Sequence, residues 1–356
     1  MRVAAASEGP LARMVCIACA AKSESAQGVR MSPRVVQSRA PSAAPGLPPF
    51  AQLLKSRDVE DPVNLWLHRP LAYAFCKLIF RTPVTPNQVT LLAISLGLLA
   101  AACWVEGSRS AMIWGGALLW ISAIMDGADG ILARAKNLQS AFGRALDGTA
   151  DMIVGLSTAT ACLWHLFATG ADWPMLTLGV LAIATTGFHL NLYDFYKELH
   201  LRLTRLERGG EGDDAERAEQ LRQQALAEHA PWYTRISMTF YADYNRFQEN
   251  LLRRTNPLAL RLMRGVSRSP HSAELYRDQN RRPMRFWMAV SLAPHSYLFA
   301  IFGMLDRLDL YLWLRLTMMN VLFLLALVLQ RQATNRTVDA YKAHGFIEDD
   351  PGMTVA

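Results

Sequence analysis

Residues 126–151 read DGADGILARAKNLQSAFGRALDGTAD. What surrounds this stretch decides the fold. Apolar runs precede it at Leu91–Val105 and Ala111–Met125 and follow it at Met152–Thr169 and Met175–Leu192. Two more, Phe286–Leu305 and Leu308–Gln330, come after a long polar interval. With its flanks, each run approaches the ~20 residues that carry a helix across a bilayer. The second and third reach that length only by running into the aspartate stretch. The chain is 51% apolar and only 19% charged, and the apolar residues come in blocks rather than at the spacing of a soluble core. We therefore expect an all-α integral membrane protein with six transmembrane helices. Six blocks with polar connectors argue against a large soluble helical core.

Working outward, the basic residues orient the spans. Arg57, Arg69, Lys77 and Arg81 precede span 1, and Arg134, Lys136 and Arg144 lie between spans 2 and 3. The connector between spans 4 and 5 is rich in arginine, and Arg331, Arg336 and Lys342 follow span 6. The other connectors hold Arg109, none, and Arg307. By the positive-inside rule both termini and the aspartate stretch face the cytoplasm, and a bacterial inner membrane is the expected location. The sequon Asn335-Arg336-Thr337 then lies on the wrong side for glycosylation.

The expected domain layout follows. Residues 1–60 are a disordered leader whose first 49 residues are rich in Ala, Ser, Pro and Arg and resemble a transit peptide or flexible tail. Residues 61–196 hold an interfacial amphipathic helix, PVNLWLHRPLAYAFCKLIF at 62–80, and spans 1–4. Residues 197–285 are a cytoplasmic helical connector, 286–331 spans 5 and 6, and 332–356 a cytoplasmic tail. Within the connector, Leu199–His229 reads as a charged solvated helix, and NPLALRLMRGVSRS as a basic helix drawn to anionic lipid. The net charge of +7 comes from residues 251–285, with nine arginines and two acids, so it is no nucleic-acid signal. The five cysteines form no framework, and Cys16-x-x-Cys19 stands alone in the leader.

Asp126 and Asp129 are spaced i, i+3, and Asp147 and Asp151 i, i+4. On helices each pair shares a face. The short polar segment between them makes the two helices antiparallel neighbours, so four carboxylates converge at one end of the bundle. Such a cluster in a low-dielectric site calls for cations. Oxygen ligands favour hard ions, so two Mg²⁺ or Mn²⁺ are the natural partners, and such a pair can clamp a pyrophosphate. Gly130 and Gly143 let a ligand approach the backbone, Ala133 keeps the same face shallow, and Arg134 offers a fork for phosphate. An EF-hand does not fit, because Ala128 and Gly130 occupy liganding positions and no Glu closes the loop.

Written as Asp126-x-x-Asp129-Gly130-x-x-Ala133-Arg134, eight residues, then Gly143-x-x-x-Asp147-x-x-x-Asp151, the stretch resembles at all eight defined positions the signature of the CDP-alcohol phosphatidyltransferases. Thr85-Pro86-Asn87-Gln88-Val89-Thr90 is similar to the family's TPN-x-x-T segment before span 1. The resemblance covers roughly Leu65–Leu192. It implies transfer of a phosphatidyl or phospho-alcohol group from a CDP-linked donor, expected to be CDP-diacylglycerol, to the hydroxyl of a polar alcohol acceptor, with release of CMP. It implies that Asp126, Asp129, Asp147 and Asp151 ligate two metals, and that Asp151 is also the base for the acceptor. Gly130, Arg134 and Ser140 would line the CDP subsite, with Asn87, Gln88, Val89 and Thr90 closing over it. For Asn87 and Thr90, helix capping after Pro86 is the competing reading; for Ser140, an ordinary loop serine is.

The acceptor pocket should come from spans 4–6, with His189, Asn191, Tyr193, Asp194, Lys197, His295 and Arg315 as candidates. Lys197 would suit a phosphorylated acceptor, against interfacial snorkelling as the plainer explanation. The motif does not separate this donor logic from a CDP-choline or CDP-ethanolamine donor acting on diacylglycerol. An ion-coupled transporter is disfavoured, because the acids cluster at one end and no repeat is visible. A catalytically dead scaffold is disfavoured by the complete motif. The expected partners are the bilayer, the donor and the acceptor, with no nucleic acid, and a homodimer is compatible.

Overall fold

The computed structural model describes residues 46–53, 58–206, 214–264 and 266–347. The chain divides into two units, Met1–Gly46 and Leu47–Ala356. Of the first only Gly46 is among the described residues, so the leader up to residue 45, with Cys16 and Cys19, lies outside them. The second unit is all helix among the described residues, without a strand. Its elements are α1 (Phe50–Leu53), α2 (Arg69–Ile79) entered through a π-helical turn at Asn64–His68, α3 (Pro86–Glu106), α4 (Arg109–Lys136), α5 (Ala141–Ala168) and α6 (Trp173–Thr204). The connector contributes α7 (Ala215–Ala227), α8 (Trp232–Thr255) and α9 (Pro257–Arg264). Then come α10 (Pro270–Ala289), α11 (Leu292–Met304), α12 (Leu308–Leu314) with a π-helical turn at Arg315–Met319, and α13 (Asn320–Ala343).

Among the described residues, six helical segments are long and apolar enough to cross a membrane: α3, α4, α5, α6, α10–α11 and α12–α13. The protein is an all-α, multi-pass membrane protein, as its apolar blocks predict. α3 packs against α4 and α5, α4 against α11, and α10 against α13. Close approach depends on small residues. A Cβ added to Gly116 would lie 2.5 Å from the carbonyl oxygen of Ala300, so α4 and α11 meet backbone to backbone there. Trp104 fills the space between these helices, fully buried, and its indole N–H donates to the carbonyl of Met112 at 3.3 Å.

Local sequence sets the helix ends around the aspartates. Thr85 caps α3, accepting from the backbone N–H of Gln88, while the Gln88 side chain accepts from the N–H of Thr85 at 2.9 Å. α4 stops at Asn137, in the left-handed region at φ 54°, where the N–H of Leu138 reaches back to the carbonyl of Ala133. α5 starts at Ser140, whose Oγ accepts from the N–H of Gly143 at 2.9 Å. Stop and start signals only three residues apart reverse the chain between α4 and α5, but the two helices do not pack along each other as their spacing suggested; each packs on α3 instead.

Several expected boundaries move. Ordered packing begins before residue 61. Leu53 and Val59 are buried, Tyr193 donates to the carbonyl of Val59 at 2.8 Å, and Arg69 pairs with Glu60 at 3.0 Å. The apolar Leu47 and Leu53 have a cluster to join, with Cys76, Val89 and Leu132, which leader composition alone does not reveal. There Cys76 donates its S–H to the carbonyl of Ala128 at 3.1 Å, and burial pushes its thiol up to about 12.

The expected helix over 199–229 is not one element. α6 runs through Lys197 to Thr204, residues 207–213 lie outside those described, and α7 begins at Ala215. Nor is the segment after Asn256 a free basic surface helix, since α9 buries Ala259 and Leu262 in the core shared with α6, α10 and α13. Span 5 is broken at Val290–Ser291, because Pro294 has no N–H for the carbonyl four residues back and its ring crowds it. α13 reaches Ala343, so the expected tail from residue 332 is largely helical. Buried side chains tie the connector to the bundle. Asn280 donates to Thr337 at 2.9 Å, Gln330 donates to Asn280 at 2.9 Å, and Asn256 donates to Tyr196 and Thr334 at 3.0 Å each. Thr337 of the formal sequon is thus an interior packing residue.

Candidate active site

The fold brings the motif carboxylates together. Asp126 and Asp129 lie in the last three turns of α4, and Asp147 and Asp151 in the first three of α5. One oxygen from each of Asp126, Asp129 and Asp147 falls within 4.8 Å of the others. Asp151 is not in that triad. It lies within electrostatic range of all three, and of Asp194 and Lys197 of α6 as well. The sequence spacing predicted four convergent carboxylates; the structure draws three of them within 4.8 Å and keeps Asp151 beside them.

Asp129 is buried, and the hydroxyl of Thr90 donates to its Oδ2. Thr90 also donates to the carbonyl of Pro86 at 3.2 Å. The cap of α3 is made by Thr85 and Gln88, so Thr90 is free of capping duty and orients a carboxylate instead. Gln88 is committed to the cap, and Val89 packs in the core with Cys76, Ala128 and Ile131. Asn87 faces α5, its Oδ1 lying 3.8 Å from where a Cβ on Gly143 would stand. That Cβ would press Ser140 Oγ at 3.1 Å, so Gly143 serves the α5 cap as well as the open face. At Gly130 a Cβ would meet only the Arg134 guanidinium, at 3.4 Å, an ordinary contact. The chain's own packing therefore does not demand glycine there. Ala133 uses its carbonyl to close α4.

Three cations lie on α2 and the last turn of α4. Arg134 donates through Nε to the carbonyl of Leu53 at 2.8 Å, which ties α1 to α4. Lys136 donates to the carbonyls of Thr82 and Val84 at 2.9 and 2.7 Å and pins the approach to α3. Arg69 donates to the carbonyl of Gly127 at 3.0 Å, inside the motif, and lies within electrostatic range of Asp126 and Asp129. Sequence reading used Arg69 only for orientation. Its membership of the site depends on how α2 crosses α4, which no local pattern encodes.

Among the residues expected to line an acceptor pocket, Lys197 pairs with Asp194 at 2.5 Å, and Tyr244 of α8 donates to the other oxygen of Asp194 at 2.9 Å. Tyr193 spends its hydroxyl on Val59, while its ring lies under the Lys197 ammonium, 5.0 Å from Nζ to the centroid. His189 and His295 stack at 5.6 Å, and His189 contacts Asn320 Oδ1 at 3.0 Å. Arg315 donates to Tyr311 at 2.8 Å. Those last residues form a polar group among α6, α11 and the α12–α13 segment, separate from the one around Asp151. Tyr244 was missed. Only its place in an apolar stripe of α8 marked it beforehand.

Thr90 supplies a direct test of this arrangement. Outer-shell partners of a liganding carboxylate typically contribute about 10–100-fold in metal affinity or activity. Thr90→Val removes the donor to Asp129 and keeps the shape. The variant is expected to need that much more divalent ion for half-maximal activity, and a metal titration of purified protein reads it.

Residues 83–204 match the model of the CDP-alcohol phosphatidyltransferase family, from the approach to α3 to the end of α6. A bifunctional IPC transferase and DIPP synthase of Rubrobacter xylanophilus is 31% identical over 133 residues, 36% of this chain and 29% of that protein. A phosphatidylinositol phosphate synthase of Mycobacteroides abscessus is 32% identical over 103 residues, 29% of this chain and 44% of that protein. An archaetidylinositol phosphate synthase of Pyrococcus horikoshii is 39% identical over 70 residues, 20% of this chain and 36% of that protein. The chain thus spans less than half the length of each. The matched segment holds all four aspartates and the Thr85–Thr90 segment, so the part of this chain that matches the CDP-alcohol phosphatidyltransferase family is the part that carries the candidate site.

Proposed function

We propose that the chain transfers a phosphatidyl group from CDP-diacylglycerol to the hydroxyl of a polar acceptor and releases CMP. The observation that carries this is the Asp126–Asp129–Asp147 triad within 4.8 Å, in the segment that matches this family. The donor set is all carboxylate oxygen, which fits Mg²⁺ or Mn²⁺. Asp126, Asp129 and Asp147 would hold the first ion, with Asp151 contributing to a second. Bound there, divalent ions neutralise pyrophosphate oxygens and stabilise charge on the leaving CMP. The chain's own groups do the rest. Thr90 orients Asp129, Arg134 and the open face at Gly130 and Gly143 receive the phosphates, and Asn87 and Ser140 border that face. Asp151 takes the acceptor proton as the acceptor oxygen bonds to the lipid-bearing phosphorus and the bond from that phosphorus to CMP breaks.

The relatives named for phosphatidylinositol phosphate and archaetidylinositol phosphate make a phosphorylated polyol our choice of acceptor. Lys197, half-buried beside Asp194 and near Asp151, is the cation placed to receive its phosphate once the pair opens. The test is purified protein with labelled CDP-diacylglycerol, Mg²⁺, and a panel of inositol phosphate, glycerol phosphate, inositol and serine. CMP release with a new lipid is expected with a phosphorylated member. Release with none of them, at any divalent ion, would sink the activity; release with unphosphorylated members alone would sink the acceptor class.

We place the aspartate end, both termini and the 197–285 connector in the cytoplasm, following the arginine alternation. In a cysteine-free background, an impermeant maleimide added from outside should label Ala171→Cys and miss Ala227→Cys. The opposite pattern would invert the orientation.

A further inference from the structure

α8 presents three faces. One lies on the protein, with Met238, Ala242, Asn245 and Leu252 buried. A second is charged, with Arg235, Asp243, Arg246 and Arg253, tied partly by Arg246–Glu219 at 3.2 Å and Arg253–Glu249 at 2.7 Å. The third is a line of Tyr233, Ile236, Phe240, Tyr244 and Phe247, each between 39% and 50% exposed. Its steps of 3, 4, 4 and 3 residues keep to one line along the helix. At about 100° per residue, that line is opposite the one through Met238 and Ala242. An outward row of aromatic and branched side chains does not suit a solvated connector.

The two ends of the row identify what covers it. The Phe247 ring lies 6.0 Å from that of Phe188. Phe188 is an exposed residue of the α6 span, one turn inside Leu192, where the apolar run Met175–Leu192 ends. The Tyr233 ring lies 6.1 Å from that of Phe142, in the first turn of α5. The row is thus continuous with span surface that faces lipid. Its own composition is interfacial, with Trp232 and Tyr233 at its start and the arginine face about a third of a turn away, where headgroup phosphates would lie.

We propose that α8 is a monotopic interfacial helix, its Tyr233–Phe247 row seated in the headgroup–acyl boundary of the leaflet at the aspartate end of the bundle. The bilayer, not solvent, then fixes the helix from which Tyr244 reaches Asp194 and Gln248 reaches the carbonyl of Asn191 at 2.8 Å.

The experiment uses the full chain, with its native cysteines replaced, in nanodiscs containing anionic lipid. An environment-sensitive fluorophore is attached at Phe240→Cys on the row or at Asp243→Cys on the charged face. At 240 we expect strong quenching by lipids carrying a shallow nitroxide and several-fold weaker quenching by aqueous iodide than at 243. Equal iodide quenching at both positions overturns the proposal in favour of a solvated helix. Shielding at 240 from both quenchers, with disulfide cross-linking between two Phe240→Cys copies, overturns it in favour of a second copy of the chain. Phe247→Cys and Asn250→Cys sample the same two faces, so a poorly folded first pair leaves the test intact.

Discussion

Asp126→Ala and Asp147→Ala are each expected to abolish CMP release while the protein inserts and purifies as before. The triad rests on two helices, and the three oxygens lie within 4.8 Å of one another. Three ionised carboxylates at that spacing repel one another in a low-dielectric setting, so in the proposed site the ions would hold the cluster together. Removing one member leaves the remaining acids with fewer ligand atoms to share. Groups that stabilise transition-state charge individually contribute about 10²–10³-fold in turnover, and loss of a whole ion costs more. Asp129 carries the Thr90 hydrogen bond and part of its role is local structure, so Asp126 and Asp147 are the cleaner tests. The measurement is CMP release across a Mg²⁺ and Mn²⁺ titration, with folding checked by monodispersity in detergent. Full turnover in either variant, or in the parent protein with excess EDTA, would remove the metal site.

The site was legible where chemistry is local. Eight motif positions and their spacing bring Asp126, Asp129 and Asp147 together across one chain reversal, because helical periodicity and the Asn137–Ser140 reversal are both written in adjacent residues. The capping ambiguity at Asn87 and Thr90 resolved through Gln88, three residues after Thr85, which completes a capping box and leaves Thr90 for Asp129. Residues arriving from elsewhere in the chain were not legible. Arg69 reaches Gly127 across 58 positions, and Tyr244 reaches Asp194 across 50. The apolar blocks gave six spans, but not the break at Val290–Ser291, although Pro294 was there to read, nor the extension of α6 to Thr204. Hydropathy marks where a helix meets lipid, and a helix that leaves the membrane intact changes only its surroundings.

Asp151 separates chemistry from binding, and its position sharpens the expectation. It lies one turn beyond Asp147 but outside the triad, within range of Asp194 and Lys197. A carboxylate placed between the phosphate end and the acceptor side can take a proton from an incoming hydroxyl. A positioned base commonly contributes about 10²–10⁴-fold. Asp151→Asn keeps the size and one oxygen and removes the basic carboxylate, so turnover should fall by that much while donor affinity stays within a few-fold. Arg134→Ala should behave the other way. Charge-assisted hydrogen bonds made in ground and transition states alike contribute about 1.5–3 kcal/mol, roughly 10–100-fold in donor affinity with a smaller change in turnover. Arg134 also holds the carbonyl of Leu53, so Arg134→Lys is the control. Lysine keeps the charge and loses the guanidinium Nε, and recovery of donor affinity in that variant assigns the effect to phosphate rather than to the α1 tether. Donor affinity is measured by binding of CDP-diacylglycerol in the absence of acceptor, and turnover at saturating donor. If Asp151→Asn loses donor binding as completely as Asp126→Ala, Asp151 acts as a ligand only and the base lies elsewhere. His189 is then a poor substitute, since its imidazole is committed to Asn320 and stacked on His295, apart from the Asp151 group. Asp194, released from Lys197 by a phosphorylated acceptor, becomes the carboxylate to replace next.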